Sequence, residues 1–185
     1  MILPSPILFL GEAPNAATAR RSDLWLLPDD SGKQHTANRL LKYLGWSRAE
    51  YLLHTERDNL MHCPTWAPGK AWLPSYAAKR LARDRILEHP KCSAVVCLGA
   101  RVARSFSWVN GARRPGVRRS LWPPITWGIV KIPAPCLDAD SPWNLHLELP
   151  ACWVPHPSGR NRWWNVATNR EAGEAFMRRI LELIR

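Results

Sequence analysis

Two short apolar runs, each closed by a glycine, constrain the fold of this chain more than any other feature. Residues 6–10 read Pro-Ile-Leu-Phe-Leu before Gly11, and residues 94–98 read Ala-Val-Val-Cys-Leu before Gly99. Runs of this length and composition are typical of strands that are buried on both faces of a sheet. Such strands need helices on both sides, so the pattern indicates an α/β fold.

Segments with helical spacing lie between and after these strands. The first ends at Gly45, which fits a C-cap, and residues 47–50 (Ser-Arg-Ala-Glu) form a capping box that begins a second helix. Residues 75–88 and 100–106 are expected to be helical, and residues 168–171 (Thr-Asn-Arg-Glu) form another capping box that begins the last helix. The positions expected to face the core are Ala37, Leu40, Leu41, Leu44, Ala78, Leu81, Ala82, Ile86, Ala172, Phe176, Ile180 and Leu183.

Three further segments complete the expected sheet. Residues 57–62, 125–132 and 151–155 are strand candidates. Strands that alternate with helices imply a mostly parallel sheet that is covered on both faces. We therefore expect an α/β protein, a three-layer α/β/α sandwich with a mostly parallel central sheet of about four strands. It is expected to form a single domain over residues 1–185.

The charge balance indicates a polyanionic partner. The chain carries 26 Lys and Arg against 15 Asp and Glu, a net charge of +11. A positive field of this size suits DNA, RNA, an anionic membrane surface or an acidic protein. The 11 tryptophans, together with the arginines, suit nucleic acid because indole rings stack on bases and guanidinium groups pair with phosphates.

Cysteine content and hydropathy argue against several classes of protein. Five cysteines without a Cys-x-x-Cys pair argue against a disulfide scaffold and a zinc ribbon, so free and mostly buried thiols are expected. No stretch approaches the roughly 20 apolar residues that a membrane span needs. The apolar N-terminus lacks a basic region and leads directly into Gly11, which indicates a first strand and not a signal peptide. We expect a cytoplasmic, monomeric protein with no membrane partner.

Polar side chains lie at the ends of three expected strands. Glu12 follows residues 6–10, Asn59 lies in the segment at 57–62, and His156 follows residues 151–155. In parallel sheets, ligands bind at the carboxyl ends of the strands. These polar groups are therefore predicted to converge on one edge of the sheet.

Four segments resemble the uracil-DNA glycosylase superfamily, in the family's order. Two of them match the family's first and second motifs, in the forms of its thermostable iron–sulfur branch and its single-strand-selective monofunctional enzymes: Gly11-Glu12-Ala13-Pro14 and His156-Pro157-Ser158-Gly159-Arg160-Asn161-Arg162. Between them, residues 58–64 (Asp-Asn-Leu-Met-His-Cys-Pro) are similar to the strand whose Asn reads the flipped base. Residues 95–100 (Val-Val-Cys-Leu-Gly-Ala) resemble the Leu-Gly-Ala strand end of the same enzymes.

The resemblance implies a monofunctional DNA glycosylase, which flips a base out of DNA and hydrolyses its bond to deoxyribose. Glu12 would stabilise the oxocarbenium-like sugar and orient water, and His156 would donate a hydrogen bond to the departing base. Asn59 would read the Watson–Crick edge of the base. Structural roles remain open for all three: a carboxylate that caps a loop, a histidine held by flanking prolines, and a buried amide.

Other residues are expected to contact the base or the DNA strand. Ala13, Pro14 and Asn15 would line the base pocket, and Trp25 is the nearest substitute for the family's stacking aromatic. Trp163 and Trp164 are expected to anchor the second-motif loop in the core. The residues expected to contact DNA are Pro157, Ser158, Gly159, Arg160 (as a wedge), Asn161 and Arg162 in that loop, with Arg113 and Arg114 on the phosphate backbone.

Departures from the family pattern bear on cofactor and substrate. The chain lacks the paired cysteines of the iron–sulfur branch, so no cluster, metal or other cofactor is expected. No lysine lies in the motif segments, so no lyase activity is expected. Asn15 stands where strict uracil enzymes have a tyrosine that shields C5 of the base, which favours a roomy pocket. The substrate is then either uracil or a 5-modified pyrimidine, including glucosylated hydroxymethylcytosine of phage DNA.

Two other functions fit parts of the same sequence. A nucleic-acid-binding protein on this fold would bind DNA or RNA without catalysis. An α/β protein that binds a small phosphate would use the basic loops, although no Walker or dinucleotide-type glycine loop is present. The glycosylase is the leading hypothesis because Glu12 and His156 are both present.

Overall fold

The computed structural model describes residues 6–12, 26–28, 36–61, 75–106, 126–133, 146–157 and 162–182. In chain order its elements are β1 (Ile7–Gly11), α1 (Thr36–Leu44), α2 (Arg48–His54), β2 (Thr55–Asn59), α3 (Ser75–Glu88), β3 (Ala94–Leu98), α4 (Ala100–Ser105), β4 (Thr126–Pro133), β5 (His146–Val154), a 3-10 turn (Arg162–Asn165) and α5 (Ala167–Glu182).

The strands form one sheet with the order β2-β1-β3-β5-β4. The strands β2, β1, β3 and β5 are mutually parallel, and β4 adds an antiparallel edge beside β5. The prediction of a mostly parallel sheet is confirmed, and the described residues form five strands, four of them parallel, where about four strands were predicted. The two glycine-closed apolar runs are the buried strands β1 and β3, which lie next to each other.

Helices cover both faces of the sheet, as the three-layer prediction requires. Alternate residues of β1 point to opposite sides, with Leu8 and Leu10 in one core and Ile7 and Phe9 in the other. The first core is closed by α3 and α4, and the second by α1, α2 and α5. This two-sided burial explains why the apolar runs are continuous and do not alternate.

The predicted boundaries of the first two helices are confirmed. Gly45 adopts a φ of +70°, and its N–H donates to the Leu41 carbonyl at 2.9 Å, which closes the last turn of α1. At the start of α2, the Glu50 N–H donates to the Ser47 hydroxyl at 3.2 Å, and the Ser47 N–H donates to the Glu50 carboxylate at 2.7 Å. The capping box therefore forms in full.

The start of the last helix differs from the prediction. The helix α5 begins at Ala167, and the Arg170 N–H already donates to the Val166 carbonyl at 3.0 Å. Thr168 therefore lies inside the first turn and is not the N-cap, so the predicted capping box at 168–171 is wrong. The cause is the 3-10 turn, which ends at Asn165 and leads the chain into the helix earlier.

The buried face of α5 is also shifted by one residue. Gly173 and Met177 are buried, whereas Ala172 is exposed and Phe176 is only partly buried. The reason is the absence of a side chain at Gly173, because a Cβ there would overlap the Trp164 ring. The helix turns the face with this glycine toward the indole. The side chains of Ile180 and Leu183 lie outside the described residues.

Two strands have bounds that differ from the predicted ones. The strand β2 starts at Thr55 and ends at Asn59, so it begins two residues before the predicted 57–62 segment. The strand β5 starts at His146, well before the predicted 151. Pro150 argued against a strand at this point in the sequence, because proline cannot donate a backbone hydrogen bond. In the structure Pro150 lies where β5 pairs only with β4, since the pairing of β5 with β3 begins at Ala151.

The described cysteines are free thiols in the two cores, as predicted. Cys92 and Cys97 lie in the core beside α3 and α4, and Cys152 lies in the other. Burial raises the pKa of the Cys97 and Cys152 thiols, so both stay protonated and unreactive. Cys63 and Cys136 lie outside the described residues. None of the helices that the structure describes is long and apolar enough to cross a membrane.

Candidate active site

The sheet topology opens a crevice at the carboxyl ends of β1 and β3. The helix that follows β1 in the chain, α1, covers one face of the sheet, and the helix that follows β3, α4, covers the other. Adjacent parallel strands whose connections leave toward opposite faces form the usual ligand-binding crevice of such sheets. Glu12 follows β1 at this crevice, and His156 follows β5, the other neighbour of β3.

A cavity of about 350 Å³ occupies this edge of the sheet. It brings the two predicted catalytic residues together in one space, with two indole rings and one guanidinium group. The described residues that line it are Glu12, Leu98, Gly99, Ala100, Arg101, Trp153, Pro155, His156 and Trp163. Its volume lies at the lower end of the roughly 300–1,000 Å³ range of small-molecule sites.

Backbone hydrogen bonds fix the position of Glu12. The Leu60 N–H donates to the Gly11 carbonyl at 2.9 Å, and the Met61 N–H donates to the Glu12 carbonyl at 3.0 Å. These bonds continue the pairing between β1 and β2 for two residues beyond the end of β2. They hold the residue just beyond the strand end, where its side chain is 27% exposed and Glu12 lines the cavity.

Arg101 is a residue of the cavity that sequence reasoning missed. Its Nη1 atom donates to Oε1 of Glu12 at 2.8 Å, and 44% of its side chain is exposed. It lies in the first turn of α4, two residues after Gly99. Glu12 is 89 residues away in the sequence, so no local pattern connects the two residues. The one sequence signal for Arg101 was its position just after the carboxyl end of a central strand.

The backbone around Gly99 holds His156 close to β3. Gly99 has a φ of +102°, and its N–H donates to the Val154 carbonyl at 2.8 Å. A Cβ at position 99 would lie 3.4 Å from Cβ of His156, which is a close contact, and the positive φ itself favours glycine at this position. Burial lowers the pKa of His156, which keeps the imidazole neutral at pH 7.

Two neighbouring tryptophans connect the loop after His156 to the core. Trp164 is buried, donates from Nε1 to the Pro155 carbonyl at 3.0 Å and stacks on Tyr43 with ring centroids 4.1 Å apart. Trp163 packs edge-on against Trp164 at 4.7 Å and lines the cavity. The predicted anchoring is therefore confirmed for Trp164. Trp153 lines the same cavity and packs against the opposite core, so indoles come from both sides of the sheet.

Asn59 lies at the same edge of the sheet but not in the wall of this cavity. It ends β2, opposite Gly11 in the sheet, and it is only 3% exposed. Its side chain occupies the space that a Cβ of Gly11 would need. Its N–H donates to Oδ1 of Asp58 at 2.6 Å. The role of Asn59 in reading a base stays a prediction.

Two of the remaining predicted residues are described. Pro157 is buried beside His156, and Arg162 is exposed at the start of the 3-10 turn. The others lie outside the described residues: Ala13, Pro14, Asn15, Trp25, Arg113, Arg114, Ser158, Gly159, Arg160 and Asn161. Their roles stay predictions.

A second group of ionisable residues, the β2–α3 cluster, lies away from the cavity. We define it as Glu56, Asp58, Arg85, Glu88 and His89. The His89 ring contacts Glu56 through Nδ1 and Asp58 through Nε2, the latter at 3.2 Å. The hydrogen bond to Asp58 is the largest of the effects that raise the pKa of His89. Arg85 pairs with Glu88 and lies 4.0 Å from Asp58.

No known protein-family model matches this chain, and no curated protein sequence matches it either. The geometry of the cavity is therefore the basis for assigning a function.

Proposed function

We propose that this chain is a cytoplasmic, monofunctional DNA glycosylase, which flips a pyrimidine nucleotide out of DNA and hydrolyses its N-glycosidic bond. The observation that carries the proposal is the shared cavity of Glu12 and a neutral His156 at the carboxyl edge of the sheet. The reaction needs a carboxylate at the sugar and a hydrogen-bond donor at the base, and these two residues supply one of each.

Glu12 acts at the sugar. As the bond between C1′ and the base nitrogen breaks, its electron pair leaves with the base and C1′ becomes cationic. A carboxylate beside C1′ stabilises this charge and accepts the proton of the water that forms the new C1′–O bond. The backbone bonds from Leu60 and Met61 suit this task because they fix the residue without engaging the carboxylate.

His156 acts at the base. A neutral imidazole donates one N–H to O2 of the pyrimidine, and this hydrogen bond strengthens as negative charge develops on the departing ring. Burial supports the role because it lowers the pKa of His156 and so disfavours the imidazolium form. Protonation of the ring is not required for such a donor.

Trp153 and Trp163 suit the flat faces of a flipped base. Stacking on indole is tolerant of base identity and contributes about 1–3 kcal/mol per base. Both rings line the cavity that holds Glu12 and His156. DNA is supported as the polymer by the net charge of +11 and by Arg162, which is exposed just after the His156 loop.

The test is base release from synthetic DNA. Single strands and duplexes with uracil, 5-hydroxymethylcytosine, glucosylated hydroxymethylcytosine or unmodified cytosine are incubated with the protein and then cleaved with alkali at abasic sites. We expect cleavage of at least one modified substrate by the wild type. We expect Glu12→Gln to lower the rate about 10²–10⁴-fold, the usual range for a group that moves a proton.

The substrate series separates the alternatives. Release of uracil alone excludes the bulky-base substrates and favours repair. Release of the glucosylated base favours defence against modified phage DNA. If the protein binds DNA but releases no base from any substrate, the glycosylase proposal is wrong and the protein is a nucleic-acid-binding protein without this activity.

A further inference from the structure

We infer that the ion pair between Arg101 and Glu12 is exchanged when DNA binds: Arg101 moves from Glu12 to a backbone phosphate of the target nucleotide. The exchange releases the carboxylate for the reaction. The inference rests on the proposed function, and it names the substrate class of the site as a nucleotide within a strand and not a free nucleoside.

The contact is suited to exchange. Glu12 receives one hydrogen bond of 2.8 Å from Arg101, from Nη1 to Oε1, and the two side chains are 27% and 44% exposed. Ion pairs at this exposure contribute little to stability, so a competing anion can replace one partner. A phosphate accepts two parallel hydrogen bonds from a guanidinium group, which makes it a stronger partner than this one-contact carboxylate.

The chemistry of the site favours the separated form. The sugar becomes cationic in the transition state, and Glu12 must offset that charge. A guanidinium group on the same carboxylate cancels much of its field at C1′ and repels the developing cation. The arrangement with Arg101 on Glu12 therefore suits the protein without substrate, and the reaction requires Arg101 to lie on another anion.

Target DNA supplies this anion at the right place. In a flipped nucleotide, phosphates flank the sugar that Glu12 must reach, so a side chain that contacts Glu12 is near the strand as well. Among the described residues that line the cavity, Arg101 is the only cation when His156 is neutral. A free nucleoside has no phosphate, and it would leave Arg101 on Glu12.

The experiment measures how DNA affinity depends on salt. The probe is a fluorescent duplex with one tetrahydrofuran abasic-site analogue, which requires no knowledge of the target base. We compare the wild type with Arg101→Gln and with Arg104→Gln, a matched control on an exposed position of the same helix. Loss of one phosphate contact lowers the slope of log affinity against log salt by about 0.9.

We expect Arg101→Gln to show this shallower slope and Arg104→Gln to keep the wild-type slope. We also expect Glu12→Gln to tighten binding when Arg101 is present and to have a smaller effect in the Arg101→Gln background, since the tighter binding depends on the contact between Arg101 and Glu12. Thermal melting of each variant shows that it is folded.

An unchanged slope for Arg101→Gln, or equal effects of Glu12→Gln in both backgrounds, would overturn the inference. Failure of the proposed function looks different, because it appears as a wild type that releases no base from any substrate. An active wild type with an unchanged Arg101→Gln slope therefore rejects the exchange alone.

Discussion

Among the residues that the structure describes, His89 and His156 have pKa values that are shifted in opposite directions. His89 is held between Glu56 and Asp58, and these carboxylates raise its pKa. His156 lies in the cavity, and burial lowers its pKa. The groups around each imidazole therefore decide which form of the ring is favoured. Two carboxylates favour the imidazolium form of His89, which links β2 to the end of α3, whereas burial favours the neutral form of His156, a donor suited to chemistry.

The largest expected difference between the two histidines comes from removing the cavity imidazole. His156→Ala should lower the rate of base release about 10²–10³-fold, because one donor to the developing anion is lost. Single-turnover measurement on the most active substrate gives this rate. The matched control is His89→Ala, which should leave the rate of the folded protein unchanged. A large rate loss in His89→Ala would contradict the distinction between the two histidines.

A smaller effect is expected on stability when the β2–α3 cluster loses a charge. Asp58→Asn removes the main partner of the His89 imidazolium, and Asp58 is only 5% exposed. Leaving a buried charged group with fewer partners costs about 1–3 kcal/mol. Urea denaturation should show this loss. If Asp58→Asn has the same free energy of unfolding as the wild type, the cluster contributes no net stability, which is also the case for some other buried ion pairs.

The smallest expected effect is a pair of opposite pH dependences. The folded pKa of His89 lies above 6.5, so its contribution to stability is complete below pH 6.5 and is lost as pH rises through the folded pKa. The folded pKa of His156 lies below 6.5, so its contribution is complete above pH 6.5 and is lost as pH falls through the folded pKa. The free energies of unfolding of His89→Ala and His156→Ala, each subtracted from the wild-type value, should change with pH in opposite directions across this range.

The part of the fold that depends on local pattern was accessible from the sequence. The strands β1 and β3 follow from apolar composition, and the ends of α1 and α2 follow from Gly45 and the Ser47 capping box. The convergence of Glu12 and His156 followed from one rule, that parallel strands end at the same edge. These predictions needed no knowledge of which strands are neighbours.

The part that depends on strand order and packing was not accessible. The Arg101–Glu12 pair joins residues 89 positions apart, and it exists because β1 and β3 are adjacent. His89 meets Asp58 across 31 positions because α3 packs on β2. The buried face of α5 was misplaced because the fit of Trp164 against Gly173 outweighs the apolar periodicity of the helix. Such contacts are properties of the assembled sheet and not of any segment.

The close approach of Gly11 and Asn59 has a consequence for mutation. The Asn59 amide fills the space beside Gly11 so fully that a methyl group at position 11 has no room. Gly11 therefore cannot gain a side chain while Asn59 stays as it is, whereas a smaller residue at position 59 meets no such overlap with Gly11. Gly11→Ala should be tolerated only together with a smaller residue at position 59. In any lineage of this protein, a side chain at position 11 is therefore expected only where position 59 has become smaller.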